Sequence, residues 1–165
     1  MNMGQVNNFS PQSKVWIYQS SRPFTENEIG ILNNKLQLFA QQWTAHNQQL
    51  NAIGKVIEDR LILLMVDETH SNASGCSIDS SVHFIKSLEK EFNVDLFDRT
   101  LVNYIADNNL QTTKLNELND LVNNGIIKNN TLVFDPLIKT KSEFDTRFRI
   151  PLDNSWMKEF IGWEI

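Results

Sequence analysis

Lys14–Ser21, KVWIYQSS, gathers β-branched and aromatic residues into a short run closed by two serines, which predicts a strand. The apolar period then changes. Ile29, Leu32, Leu36, Phe39 and Trp43 recur in steps of three and four, one stripe of a helix over about 26–43. Thr25-Glu26-Asn27-Glu28 is its capping box: the Thr hydroxyl and the Glu carboxylate satisfy free first-turn amides, with Phe24 and Ile29 at the staple positions. Residues 52–58 and 61–67 predict two strands joined at Glu58-Asp59-Arg60. The second, containing LILLMV, is apolar on both parities and therefore central in a sheet.

A second helix is predicted from Ser77, with Ile78, Val82, Ile85, Leu88 and Phe92 on one stripe. LFDRTLVNYIA reads as a strand of ambiguous period. Residues 112–124 read as a third helix with Leu115, Leu118, Leu121 and Val122 inward and Asn124-Gly125 as its stop. NNTLVFDPLI is a turn and a strand ended by Pro136. The tail shows no period until Asp153, where Trp156, Phe160 and Trp163 suggest a short helix. The polar, Asn/Gln-rich residues 1–13 read as a loose tail. The sum is an α+β domain over 14–165: a single mixed sheet of about five strands, three helices packed on it and a short C-terminal helix.

A chain of 165 residues buries roughly 70% of its unfolded surface, enough for a core without disulfides or metals. Its composition is that of a globular protein, folding alone or as an oligomer such as a homodimer. The net charge of -5 and the lack of clustered Lys and Arg argue against nucleic acid and anionic membranes as partners, leaving a small molecule or a protein. The longest apolar run, residues 61–66, is far short of a membrane span, and no leader pattern opens the chain. With one cysteine there is no intrachain disulfide and no paired-cysteine zinc site, so a cytoplasmic location is expected.

That cysteine carries the candidate chemistry. Cys76 stands in ASGCSIDSS, at or one residue before the cap of the predicted second helix, where free amides and the helix dipole favour a thiolate. The same corner, with Ser74, Gly75 and Ser77, suits a phosphate or carboxylate. It is equally ordinary turn and cap chemistry, and a lone cysteine also serves as a small apolar residue. A thiol nucleophile needs a base. His70, six residues earlier, is better placed than His83, which lies roughly 10 Å along the helix axis. Asp67 or Glu68 would orient the His70 imidazole. Arg22 is an anion clamp if it faces that helix's amino end, and otherwise a surface ion pair. Asp79 and His83, four apart, form a solvated helix pair. Asp67, Glu68, His70 and His46 have divalent-ion chemistry but match no metal motif, so neither metal nor cofactor is expected. Trp16, Tyr18, Trp43, Trp156 and Trp163 either build the core or line a pocket or interface.

The segments WIYQSSRPFT, SGCSIDSSV and LIKTKSEFD...IPLDNSW resemble a family of uncharacterised bacterial proteins, found mainly in Bacteroidetes, whose members often carry the name "ABC transporter ATPase". The resemblance covers nearly everything after the tail and implies a cytoplasmic bacterial setting, with no catalytic residues to transfer. ATP hydrolysis is excluded on other grounds. A phosphate-cradling G-x-x-x-x-G-K-[ST] loop is missing: the one Gly-Lys, Gly54-Lys55, is followed by Val56 and preceded five positions earlier by Gln49. No LSGGQ signature is present either. The expectation is a non-enzymatic small-molecule, anion-binding or protein-interaction module, with a thiol-dependent hydrolase or transferase using Cys76 and His70 as the alternative.

Overall fold

The structure, a computed structural model, describes residues 4–162 of the chain. Its elements, in order, are α1 (Gly4–Asn7), β1 (Lys14–Gln19), α2 (Glu26–Gln42), β2 (Thr44–Ala45), β3 (Gln48–Gln49), β4 (Asn51–Ile57) and β5 (Leu61–Asp67). There follow α3 (Gly75–Phe92), β6 (Leu101–Ala106), β7 (Asn109–Lys114), α4 (Leu118–Asn123), β8 (Leu132–Phe134), α5 (Lys141–Arg147) and β9 (Arg149–Pro151). Three antiparallel sheets result, ordered β1-β5-β4, β2-β3 and β7-β6-β8-β9. This corrects the expected single mixed sheet.

The predicted capping box is present: Glu28 N donates to Thr25 Oγ1 at 3.2 Å and Thr25 N to Glu28 Oε1 at 2.9 Å. From that start α2 buries Leu32, Leu36 and Ala40 against β4. Gly54 permits the approach. A Cβ there would lie 2.9 Å from Leu64 Cδ2 and 3.2 Å from both Cβ and the carbonyl oxygen of Leu36.

All seven residues of β5 are buried, as their two-parity apolar pattern requires. Ile62, Leu64 and Val66 join Leu36 of α2 and Ile85 and Leu88 of α3 in one core. Leu61, Leu63 and Met65 face the opposite way, onto Phe134, Ile138 and Phe148. Each such leucine stabilises the fold by about 1.5–3 kcal/mol relative to exposure. Beyond the four-stranded sheet, Val102, Tyr104 and Val133 pack on Leu118, Ile127, Leu152 and Met157. The two larger sheets thus lie between the long helices on one side and short helical turns on the other.

Polar groups join those sheets. Gln19 Nε2 donates to the Leu101 carbonyl at 3.1 Å, Asn103 Nδ2 to Gln19 Oε1 at 2.6 Å, and Thr112 Oγ1 to Asn103 Oδ1 at 2.6 Å.

Several boundaries differ from the periodicity. The predicted helix over 112–124 is α-helical only in α4, because Asn109–Lys114 returns on β6 as a hairpin strand. Its turn, Asp107-Asn108, has positive φ at both residues, 51° and 62°, as a twist-matched two-residue hairpin turn needs. Leu115 and Leu118 are helically spaced, but the first belongs to a separate 3₁₀ turn. The ambiguous strand at 96–106 is a strand only from Leu101, and α5 and β9 occupy the tail where no period was legible. The short C-terminal helix is a pair of 3₁₀ turns, Leu152–Asn154 and Trp156–Phe160, and Trp163 lies outside the described residues. Nor does all of 1–13 stand off as a loose tail. Val6 and Phe9 are buried against the β5 face, and Ser10 N donates to Asp67 Oδ2 at 2.9 Å.

Candidate functional site

The amino end of α3 begins two residues before the predicted start, because Ser74 caps it. Ser77 N donates to Ser74 Oγ at 3.2 Å and Ser74 N to Ser77 Oγ at 2.7 Å. Cys76 is therefore the second residue of the helix, exposed to solvent. Glu68 also closes this corner: Oε2 accepts from Ala73 N at 2.9 Å and Oε1 lies 3.2 Å from Lys14 Nζ. Ile78 N turns to the Ser74 carbonyl at 2.9 Å. The protein's own hydroxyls and a carboxylate thus take up the amides of Ala73, Ser74 and Ser77, and an incoming anion would meet the charge of Glu68.

Asp67 is committed as well. Its Oδ1 accepts from the Thr69 hydroxyl at 2.5 Å and the Thr69 amide at 2.9 Å, while Oδ2 holds Ser10 N. The Thr69 hydroxyl is the foremost cause holding this carboxyl below its ordinary range, opposed by burial and aided by the two amides. His70 acts on it only through charge. His70 is exposed, and no hydrogen bond joins it to Cys76 or Asp67 among the described residues.

Arg22 belongs to the other end of α3. Its guanidinium donates to both Glu28 oxygens at 2.8 Å, to the Pro23 carbonyl at 3.1 Å and to the Phe92 carbonyl at 2.6 Å. Phe92 is the last residue of the helix and Gly75 the first, about 26 Å apart at 1.5 Å per residue. Arg22 is an ion pair and helix-end clamp, not a partner of the amino end. His46, exposed, sits in the β2–β3 turn with φ 51°, and Asp79 and His83 are exposed with no ion pair between them. Among the described residues no group of three or more His, Cys, Asp or Glu could hold a metal ion.

The structure instead opens a cleft of about 870 Å³ along β1. Its floor is the strand itself, with Trp16, Ile17 and Tyr18 half-buried; Ile78 and Val82 of α3 form one wall. The loops 96–99 and 136–140 form its lips. Phe97 is 38% exposed and Leu137 50%, so two large exposed apolar side chains face one opening. Phe97 meets Tyr18 edge to face, centroids 5.4 Å apart. Burial pushes the Tyr18 phenol up from its ordinary value, partly offset by its hydrogen bond to Ser81.

Charge is arranged around this apolar surface. Lys14 is paired with Glu68, and Asp98 with Lys114 and Thr100. Arg99 and Lys139, also on the cleft, have no ion-pair partner among the described residues. A second cleft, of about 630 Å³ along the β4 edge, carries amide side chains instead, one of which, Asn33, caps Val56 N at 2.8 Å.

Of the aromatics flagged as pocket or core, Trp16 and Tyr18 line the cleft while Trp43 is buried core, its indole N–H donating to the Ser77 carbonyl at 2.8 Å. Trp156 is half-buried, donating to Asp135 at 3.0 Å. Phe97, Arg99, Leu137 and Lys139 escaped sequence reasoning. They come as two pairs separated by 38 residues, in loops with no period. The available signals were an apolar residue beside Asp98-Arg99 and another just after Pro136. No helix among the described residues is long and apolar enough to cross a membrane. Comparison of the chain with protein-family models, curated proteins and solved structures gives no match.

Proposed function

We propose that the protein is a non-catalytic binding module that takes an amphipathic, anion-bearing ligand into the cleft along β1. The observation that supports this reading is the convergence of exposed Phe97 and Leu137, half-buried Trp16 and Tyr18, and two cations without an ion-pair partner among the described residues on one opening. Its volume falls within the roughly 300–1,000 Å³ usual for ligand sites. Apolar side chains supply the affinity by leaving water. Arg99 and Lys139 orient the charged end in a chain whose net charge is otherwise negative. A lone, exposed thiol and no possible intrachain disulfide suit a reducing compartment, so we place the module in the cytoplasm.

Titration with dodecanoate and with acidic apolar peptides, followed by tryptophan emission, tests the reading. Saturable binding should weaken about tenfold or more in Leu137→Asp, as expected when an apolar lip is lost. If neither ligand type binds, or binding survives Leu137→Asp and Phe97→Asp unchanged, the cleft is not the site.

A further inference from the structure

We infer that the natural occupant of this cleft is an extended peptide segment of a partner protein, acidic at both flanks, that pairs with the outer edge of β1 as an added strand. The inference rests on the cleft being the binding site. It is carried by an accounting of backbone hydrogen bonds along β1.

At its start the strand has an outer neighbour. Val15 N donates to the Lys139 carbonyl at 3.0 Å and Lys141 N to the Ser13 carbonyl at 2.9 Å, around the single bridge Lys14↔Thr140. There the pairing stops. The Lys139 amide turns instead to Glu143 Oε2 at 3.2 Å and the Leu137 amide to Asp135 Oδ1 at 2.9 Å, so the 136–139 segment peels away.

Antiparallel pairing alternates. Val15 donates outward and Ser20 N reaches the Arg60 carbonyl, so Lys14, Trp16 and Tyr18 bond to β5 while 15, 17 and 19 face out. The amide and carbonyl of Ile17 consequently open onto the cleft with no partner among the described residues. The Gln19 side chain, tied to the Leu101 carbonyl, closes the far end.

An open donor and acceptor on one residue, between apolar lips, form a template for a strand. A fatty carboxylate has no donor for the Ile17 carbonyl. A peptide satisfies both groups with one residue, and its alternate side chains fall beside Trp16, Tyr18, Phe97 and Leu137. Lys139 stands by the Val15 end and Arg99, two residues before Leu101, by the Gln19 end. Four residues of strand span about 13 Å. Acidic residues four or five positions apart would meet both cations.

Arrayed octapeptides of varied sequence are the probe. Binders should have an apolar centre flanked by Asp or Glu at that spacing, and binding should fall as salt rises. N-methylation of the peptide residue opposite Ile17 should weaken binding more than tenfold and methylation of its neighbour should not. Exchange of the Ile17 amide should slow at least tenfold on binding. Arg99→Glu with Lys139→Glu, which leaves the strand intact, should weaken binding at least tenfold at low salt. Ile17→Pro should abolish it, the charge pair serving as the check that the loss is not one of folding. Binders indifferent to N-methylation, or an Ile17 amide unchanged on binding, would overturn strand addition. An array without binders while dodecanoate still enters would overturn it too, leaving the cleft reading standing. Failure of both ligands removes both. Self-association lost in Ile17→Pro would make a second copy the occupant and overturn the peptide.

Discussion

Arg22 grips Glu28 with two parallel hydrogen bonds of 2.8 Å and reaches past it to the Phe92 carbonyl at 2.6 Å. One guanidinium thereby joins the chain leaving β1, the first turn of α2 and the last residue of α3. Its charge is favourable at the carboxyl end of a helix, where carbonyls lack partners. The hydrogen bonds from Arg22, followed by the Thr25 amide, hold the Glu28 carboxyl down at about 2.

A depressed carboxyl stabilises the fold above its unfolded value, near 4.5, and loses that contribution as pH falls toward about 2. Arg22→Ala should therefore cost about 1 kcal/mol at pH 7, modest because the pair is partly solvated. Part of the acid sensitivity between pH 4.5 and 2 should vanish with it. Urea midpoints of both proteins at pH 7, 4 and 2.5 check this; a constant gap across the range would dissociate Glu28 from the effect.

Gly54→Ala should destabilise by about 1–3 kcal/mol, since the added methyl presses on the buried Leu64 side chain and on both Cβ and the carbonyl oxygen of Leu36 in α2. Thermal unfolding measures the loss. A neutral substitution would mean that α2 shifts freely on the sheet.

Gln19→Leu should cost about 1–3 kcal/mol, because Asn103 Nδ2 then keeps no partner in a buried position. Combined with Asn103→Leu, the penalty should be well below the sum of the two single changes. Denaturant unfolding of the four proteins gives the coupling directly.

Cys76→Ala should alter stability by less than about 0.5 kcal/mol, as expected for an exposed position without a buried contact. Ligand binding in the β1 cleft should be unchanged. A variant that binds normally yet loses a turnover found in a hydrolase screen would revive the thiol reading.

Asp67→Ala should release Ser10 and Thr69 together, because one carboxylate holds both segments. Amide exchange at those two residues should quicken by about tenfold or more while that of β5's centre is unaffected.

The cap at Thr25–Glu28, the α2 stripe and the central place of β5 were all legible, because each depends on residues within a turn or two of one another. The cap of α3 was legible in kind but misplaced, since Ser74-x-x-Ser77 and the Ser77 start compete on equal local terms and the hydrogen bonds choose the earlier. The hairpin return at 109–114 was lost for the opposite reason: leucines at 115, 118 and 121 imitate a helix, while the strand owes its place to Asn103 and Leu101 across the ladder.

The site divides along the same line. Sequence alone determined an α+β chain with a buried central strand, a capped and striped α2, and one cysteine beside a helix start. Those properties follow from periods of two and 3.6 and from side chains reaching the nearest amide. Only tertiary structure decided that Glu68 would close on the α3 corner through the Ala73 amide, that Arg22 would serve the helix's far end, and that among the described residues the edge of β1 would stay open at Ile17. An open edge is a missing contact between segments more than a hundred residues apart, set by where Lys139 turns to Glu143 instead of continuing along β1. Local spacing carries no record of such a departure.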